Sequence, residues 1–75
     1  MEEKELRELI LKGLPEAEVD CVDLVGDKNH WRVVVTSERF EGLSTLQQHR
    51  LVMDTLQLVM DETLHAIEIK TLTPQ

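Results

Sequence analysis

Tyrosine is absent from this sequence, and Trp31 and Phe40 are its only aromatic residues. Without a run of aromatic faces the chain has no stacking platform for single-stranded nucleic acid. Cysteine occurs once, as Cys21, which excludes an internal disulfide and any zinc framework built on paired cysteines. A lone thiol fits a reducing compartment. Basic residues are scarce: 8 Lys and Arg stand against 15 Asp and Glu, for a net charge of -7. Phosphate binding draws most of its affinity from clustered Lys and Arg, and no such cluster is visible. No apolar stretch approaches the ~18 residues of a membrane span. The start, Met1-Glu2-Glu3-Lys4, is acidic and lacks the apolar run of a secretory signal. The expectation is a soluble, cytoplasmic protein.

A chain of 75 residues makes one small domain. At this size roughly 60% of the unfolded surface is buried on folding, so the core is marginal and a deep substrate pocket has little room. The negative charge is concentrated in the first third, and residues 28–75 are near neutral, with Arg39, Arg50 and Lys70 among their bases.

Residues 2–12 carry the spacing of an amphipathic helix, with Leu6, Leu9, Ile10 and Leu14 on one face. Glu3–Arg7 and Glu8–Lys12 are i,i+4 pairs in the favourable acid-before-base order. Gly13 reads as the stop signal, with Pro15 just beyond. β-Branched residues from Val19 to Val25 predict a first strand, and Gly26-Asp27-Lys28-Asn29 a turn. From His30 to Ser37 the alternation is clearer: Trp31, Val33 and Val35 share one face, Arg32 and Thr36 the other. A short turn between two such strands makes an antiparallel hairpin. Residues 37–43 read as a loop or one helical turn. Ser44 followed by Gln47 has the form of a capping box, opening a helix from about Thr45 to about Glu62. Its apolar face is Val52, Leu56, Val59 and Met60, with Met53 beside it. A last strand begins near His65, with Ile67 and Ile69 on one face, and ends at Thr73-Pro74.

The order helix–strand–strand–helix–strand has a consequence for chemistry. A strand–helix–strand crossover within one sheet is normally parallel and right-handed. If the second and third strands are neighbours, both begin at the same end of the sheet, ~4.8 Å apart. His30 and His65 open those strands, so the crossover brings two imidazoles together from positions far apart in the chain.

Each candidate also has a plainer reading. His65 alone would cap one end of the core, and His30 alone would be a solvated turn residue. Cys21 reads as a small buried hydrophobe. His49 reads as a surface or partly buried helical residue, Met53 and Met60 as core-spaced positions, and Trp31 as a core anchor. No nucleophile, base and orienting group can be assembled, since Ser37 and Ser44 are better explained as turn and cap residues. The composition therefore points away from an enzyme.

The segments Gly26-Asp27-Lys28-Asn29-His30-Trp31, Phe40-Glu41-Gly42-Leu43-Ser44 with His49-Arg50-Leu51-Val52, and Leu64-His65-Ala66-Ile67-Glu68-Ile69-Lys70-Thr71-Leu72-Thr73-Pro74 closely resemble, in this order, the BolA-like family of small α/β proteins. The resemblance covers residues 19–74 and implies a single BolA-like domain over residues 1–75. It implies an α+β fold: a three-stranded mixed sheet with helices on one face, similar to the class II KH domain. It also implies a partner, a monothiol glutaredoxin of the Cys-Gly-Phe-Ser type, with which a 2Fe–2S cluster is shared together with glutathione. The histidine of the family's His-Ala-hydrophobic-x-Ile-Lys motif, here His65, is then the main ligand from this chain. His30, from the hairpin turn, is the second. Cys21 does not align with the turn cysteine of the other subgroup. Lys28 departs from the glycine that relatives often place in this turn.

The chemistry of the residues agrees with a borrowed cluster. Iron–sulfur clusters need thiolates, and this chain has one cysteine, so the remainder must come from a partner. Imidazole titrates near ~6.5 when unperturbed, which suits a transferable or sensing cluster better than a permanent one. The competing reading is a KH-like, nucleic-acid-binding regulator of stress response or cell morphology, contacting through the Phe40–Arg50 segment. That segment lacks a Gly-x-x-Gly loop, and the net charge predicts weak binding at most. Alone, the chain is expected to be a monomer or weak homodimer.

Overall fold

The computed structural model describes residues 2–26, 30–57 and 66–74, in the order α1 (Glu3–Gly13), β1 (Glu18–Asp23), β2 (His30–Thr36), a 3₁₀ turn (Glu38–Phe40), α2 (Thr45–Leu56) and β3 (Ala66–Leu72). The strands form one sheet in the order β1-β2-β3, with β1 antiparallel and β3 parallel to the central β2. This is the expected mixed α+β architecture. The predicted extension of the second helix to Glu62, with Val59 and Met60 on its face, lies outside the described residues.

Alternation in β2 is fully expressed. Trp31, Val33 and Val35 are buried under the helices, while Arg32 is exposed on the opposite face. With Leu6, Ile10 and Leu14 of the α1 face, Val19, Phe40, Val52 and Leu56 they make one core. Ile67 and Ile69 face the same way but are only half-buried, because β3 is an edge strand and the core is centred on β2.

The first strand ends earlier than its β-branched residues suggest, at Asp23 instead of Val25. The Asp23 carboxylate accepts the Gly26 N–H at 2.9 Å, and Gly26 takes φ 80°, so the chain is already turning. Val22, Leu24 and Val25 are left 48%, 42% and 67% exposed. Within β1 the alternation is regular, with Val19 and Cys21 facing the helices.

Both helix ends follow local chemistry. At the start of α2, Ser44 Oγ accepts the Gln47 N–H at 3.2 Å and Gln47 Oε1 accepts the Ser44 N–H at 3.0 Å, completing the capping box. Gln48 then braces the turn: its Nε2 donates to the Phe40 and Leu43 carbonyls, and its Oε1 accepts from Thr71 Oγ1 of β3. At the end of α1, Gly13 is the last helical residue and has an ordinary backbone, so it is not the left-handed stop that its type suggested. The helix stops because Pro15 disfavours helical dihedrals at Leu14, which sits at φ -131° and ψ 72°.

One buried polar contact ties these parts together. Ser37, 1% exposed, donates its hydroxyl to Glu16 and accepts the Arg39 N–H at 3.1 Å. The Ser37 hydroxyl, with help from the Arg39 guanidinium, holds the Glu16 carboxyl below its ordinary value of 4.5. A carboxyl depressed in the folded state contributes stability that is full above its unfolded pKa and is lost as pH falls through the folded value. Ser37→Ala should therefore lower stability at neutral pH and flatten its decline on the acid side. Urea midpoints from about pH 7 down to about pH 3 test this; an acid-side slope identical in both proteins would remove the Ser37–Glu16 contact from the explanation.

Candidate functional site

The expected site lies where β2 and β3 begin. The Leu24 N–H donates to the His30 carbonyl at 2.8 Å, which closes the hairpin above β1 and delivers His30 as the first residue of β2. His30 is half-buried and, two residues before Arg32, belongs to the sheet face away from the helices. Across the parallel ladder it pairs with Ala66. Ala66 is the covalent successor of His65, which itself lies outside the described residues, as does the Lys28 turn position. The crossover argument is thus realised up to that residue: the starts of β2 and β3 stand side by side.

The other candidates are elsewhere. Cys21 is three rows along the sheet from His30, in register with Val33, and packs against the core. Burial pushes its thiol up to about 11, so it is protonated at neutral pH and a poor metal ligand or nucleophile. His49 follows Gln48, which is bonded to Thr71 near the end of β3. Thr71 is on the order of 15 Å along the strand from Ala66, so His49 belongs to the opposite end of the sheet. Trp31 is buried, as a core anchor should be.

Among the described residues, no three His, Cys, Asp or Glu side chains gather as a metal site. Among the described residues the side-chain donors at this end are His30 and Asp23, while the Cys21 thiol is turned inward and protonated. Beside His30, Val22 and Leu24 lie on its own sheet face and, with Val25, present exposed apolar surface that the strand alternation alone did not reveal.

The far end is acidic. Glu16, Glu18 and Glu38 line a cleft of about 530 Å³ with Leu72 and Pro74. The bases are dispersed: Arg32 pairs with Glu68 at 3.3 Å, and Arg39 donates to the Gly13 carbonyl at the end of α1 at 3.3 Å. No helix among the described residues is long and apolar enough to cross a membrane.

A three-stranded mixed sheet, two helices packed on one face and a histidine at the shared start of the parallel strands define a small α+β domain of the KH-like kind. The chain belongs to the BolA-like family, whose model, described as BolA-like protein, matches residues 16–75. It is 36% identical over 70 residues to the uncharacterized protein RP812 of Rickettsia prowazekii, covering 93% of this chain and 91% of that protein. It is 44% identical over 50 residues to the DNA-binding transcriptional regulator BolA of Vibrio cholerae, covering 67% of this chain and 47% of that one. Among solved structures, a bolA protein homologue from Coxiella burnetii superposes with a TM-score of 0.84 at 35% identity, covering 99% of this chain and 92% of that chain.

Proposed function

We propose that this protein partners a Cys-Gly-Phe-Ser monothiol glutaredoxin and shares a 2Fe–2S cluster with it, His65 and His30 being its own ligands. The reading assigns it to iron–sulfur trafficking or iron and redox regulation. The parallel register of β2 and β3, in which His30 stands opposite the residue after His65, is the observation that carries it. Three further features support it. The only thiol is turned inward and protonated, so the thiolates belong to the partner and to glutathione. The exposed Val22, Leu24 and Val25 offer apolar surface to a protein beside the ligand edge. His30 opens β2 and His65 directly precedes Ala66, the first residue of β3, so their loss is expected to spare the centre of the core. The cluster is cargo, and it brings the iron and one-electron chemistry that the chain lacks.

The test is reconstitution of the purified chain with a monothiol glutaredoxin, glutathione, iron and sulfide, followed by visible absorption and circular dichroism. The mixed complex should have a spectrum distinct from that of the glutaredoxin alone. His65→Ala should shorten the cluster lifetime by at least the roughly tenfold that loss of even an outer-shell partner causes, with far-ultraviolet circular dichroism unchanged. His30→Ala should act in the same direction, more mildly. A double variant with wild-type spectrum and lifetime would leave the two histidines with no ligand role.

The similarity to the DNA-binding transcriptional regulator BolA of Vibrio cholerae favours a second reading, duplex DNA binding. The net charge of -7 and the engagement of Arg32 and Arg39 with the chain's own acceptors oppose it. Fluorescence anisotropy at physiological salt should reveal no sequence-selective nanomolar complex. If one formed, its loss on charge reversal of Arg39 and Arg50 would locate the contact.

A further inference from the structure

The outer edge of β3 has a pattern that matches its own copy. Backbone directions along β3 follow from one bond: the Ser37 N–H donates to the Leu72 carbonyl at 3.0 Å. Leu72 therefore turns its backbone groups toward β2, and so do Lys70, Glu68 and Ala66, since direction alternates along a strand. Ile67, Ile69 and Thr71 direct theirs the opposite way. Among the described residues no strand lies on that side. The strand Ala66–Leu72 contains no proline, and its charged residues, Glu68 and Lys70, lie on the sheet face away from the helices, where they restrict the registers a partner strand can take.

We propose that this edge pairs with a second copy of the chain, antiparallel and two-fold symmetric about Ile69, extending the sheet continuously from one protomer to the next. Residues directly opposite each other in an antiparallel pair share a sheet face, which leaves few registers. Centring on Ile69 makes Ile69 with Ile69, and Ile67 with Thr71, the hydrogen-bonded pairs, using the backbone groups that point outward. It places Glu68 of each protomer opposite Lys70 of the other as non-hydrogen-bonded pairs, where Cα atoms approach to ~4.5 Å and opposite charges gain most. On the same face Leu72, 44% exposed, comes opposite Ala66. Centring on Glu68 or Lys70 instead opposes like charges. Centring on Ile67 or Thr71 leaves the Glu68–Lys70 complementarity unused.

The other edge offers no equivalent. Its exposed-face residues include Glu18 and Asp20, both acidic, so pairing β1 with itself brings together like charges or leaves them without a counterion. Self-association is thus specified to one edge and one register by the order Glu68-Ile69-Lys70.

Sedimentation equilibrium of the unaltered chain, from micromolar to millimolar concentration, is expected to show a monomer–dimer equilibrium. Amide hydrogen exchange over the same range should show protection rising with concentration at Ile67, Ile69 and Thr71. Lys70→Glu should weaken the dimer by on the order of tenfold or more, while Lys70→Arg keeps it within about threefold. A chain monomeric at millimolar concentration overturns the proposal. So does a dimer that leaves those three amides unprotected, or one indifferent to Lys70→Glu. The exchange measurement uses the unaltered protein and decides the matter even if a variant misfolds.

Discussion

Replacing Phe40 with alanine should cost ~3–5 kcal/mol, the loss expected for a fully buried phenylalanine. A domain of this size has only about 4–11 kcal/mol in total, so the variant should lie at or near the edge of unfolding. Phe40 is 0% exposed in the core, yet it comes from the 3₁₀ turn and not from a helix face or strand. Its carbonyl accepts from the Leu43 N–H and from Gln48 Nε2, bonds that a truncated side chain leaves in place. The penalty is therefore packing: transfer of the ring from water plus the cavity left between sheet and helices. Ile69→Ala is the control. Ile69 shares the inner face but is half-buried on an edge strand, so about 1–2 kcal/mol is expected from the apolar area lost. Urea denaturation of both variants measures the difference, and an Ile69 loss equal to that at Phe40 would mean the core is centred closer to β3 than to β2.

Gly13→Ala should destabilise the protein, against the direction of helix propensity. Alanine in place of glycine within a helix is ordinarily favourable by about 1 kcal/mol. Here a Cβ would come within 2.5 Å of Thr55 Cγ2 on α2. Thr55 has little freedom to yield, because its side chain is β-branched and its Oγ1 donates to the Val52 carbonyl at 2.6 Å. Overpacking of this kind costs ~1–3 kcal/mol, enough to outweigh the propensity gain. The decisive measurement is a double-mutant cycle with Thr55→Ala, which removes the offending methyl. In that background Gly13→Ala should become neutral or stabilising. Equal effects of the alanine with and without Thr55 would show that the two helices do not meet closely at this point.

How much of this protein was written in neighbouring residues is visible at particular places. The alternation Trp31, Val33, Val35 in β2, the Ser44–Gln47 capping box and the Glu3–Arg7 pair at 3.0 Å are short-range patterns, and each appeared as its sequence implied. The crossover was legible in part: parallel direction and handedness follow from local chirality, while the sheet order made β2 and β3 neighbours and so brought their starts together. The depth of burial was not legible. Ile67 and Ile69 carry the same alternation as β2 but are only partly buried, because an edge position is a property of the sheet and not of the strand. Phe40 gave no periodic signal, being one residue in a turn. Gly13 looked like a stop when its role is to let α1 approach Thr55. Leu24 and Val25 looked like strand until the Asp23–Gly26 bond turned the chain, and with Val22 on the outer face of β1 they were left at the surface. Local sequence thus determined which elements form, how they alternate and in what order they connect. Tertiary structure alone decided which apolar residues are core, where two helices touch and which edge of the sheet stays open, because those depend on residues that meet only once the chain has folded.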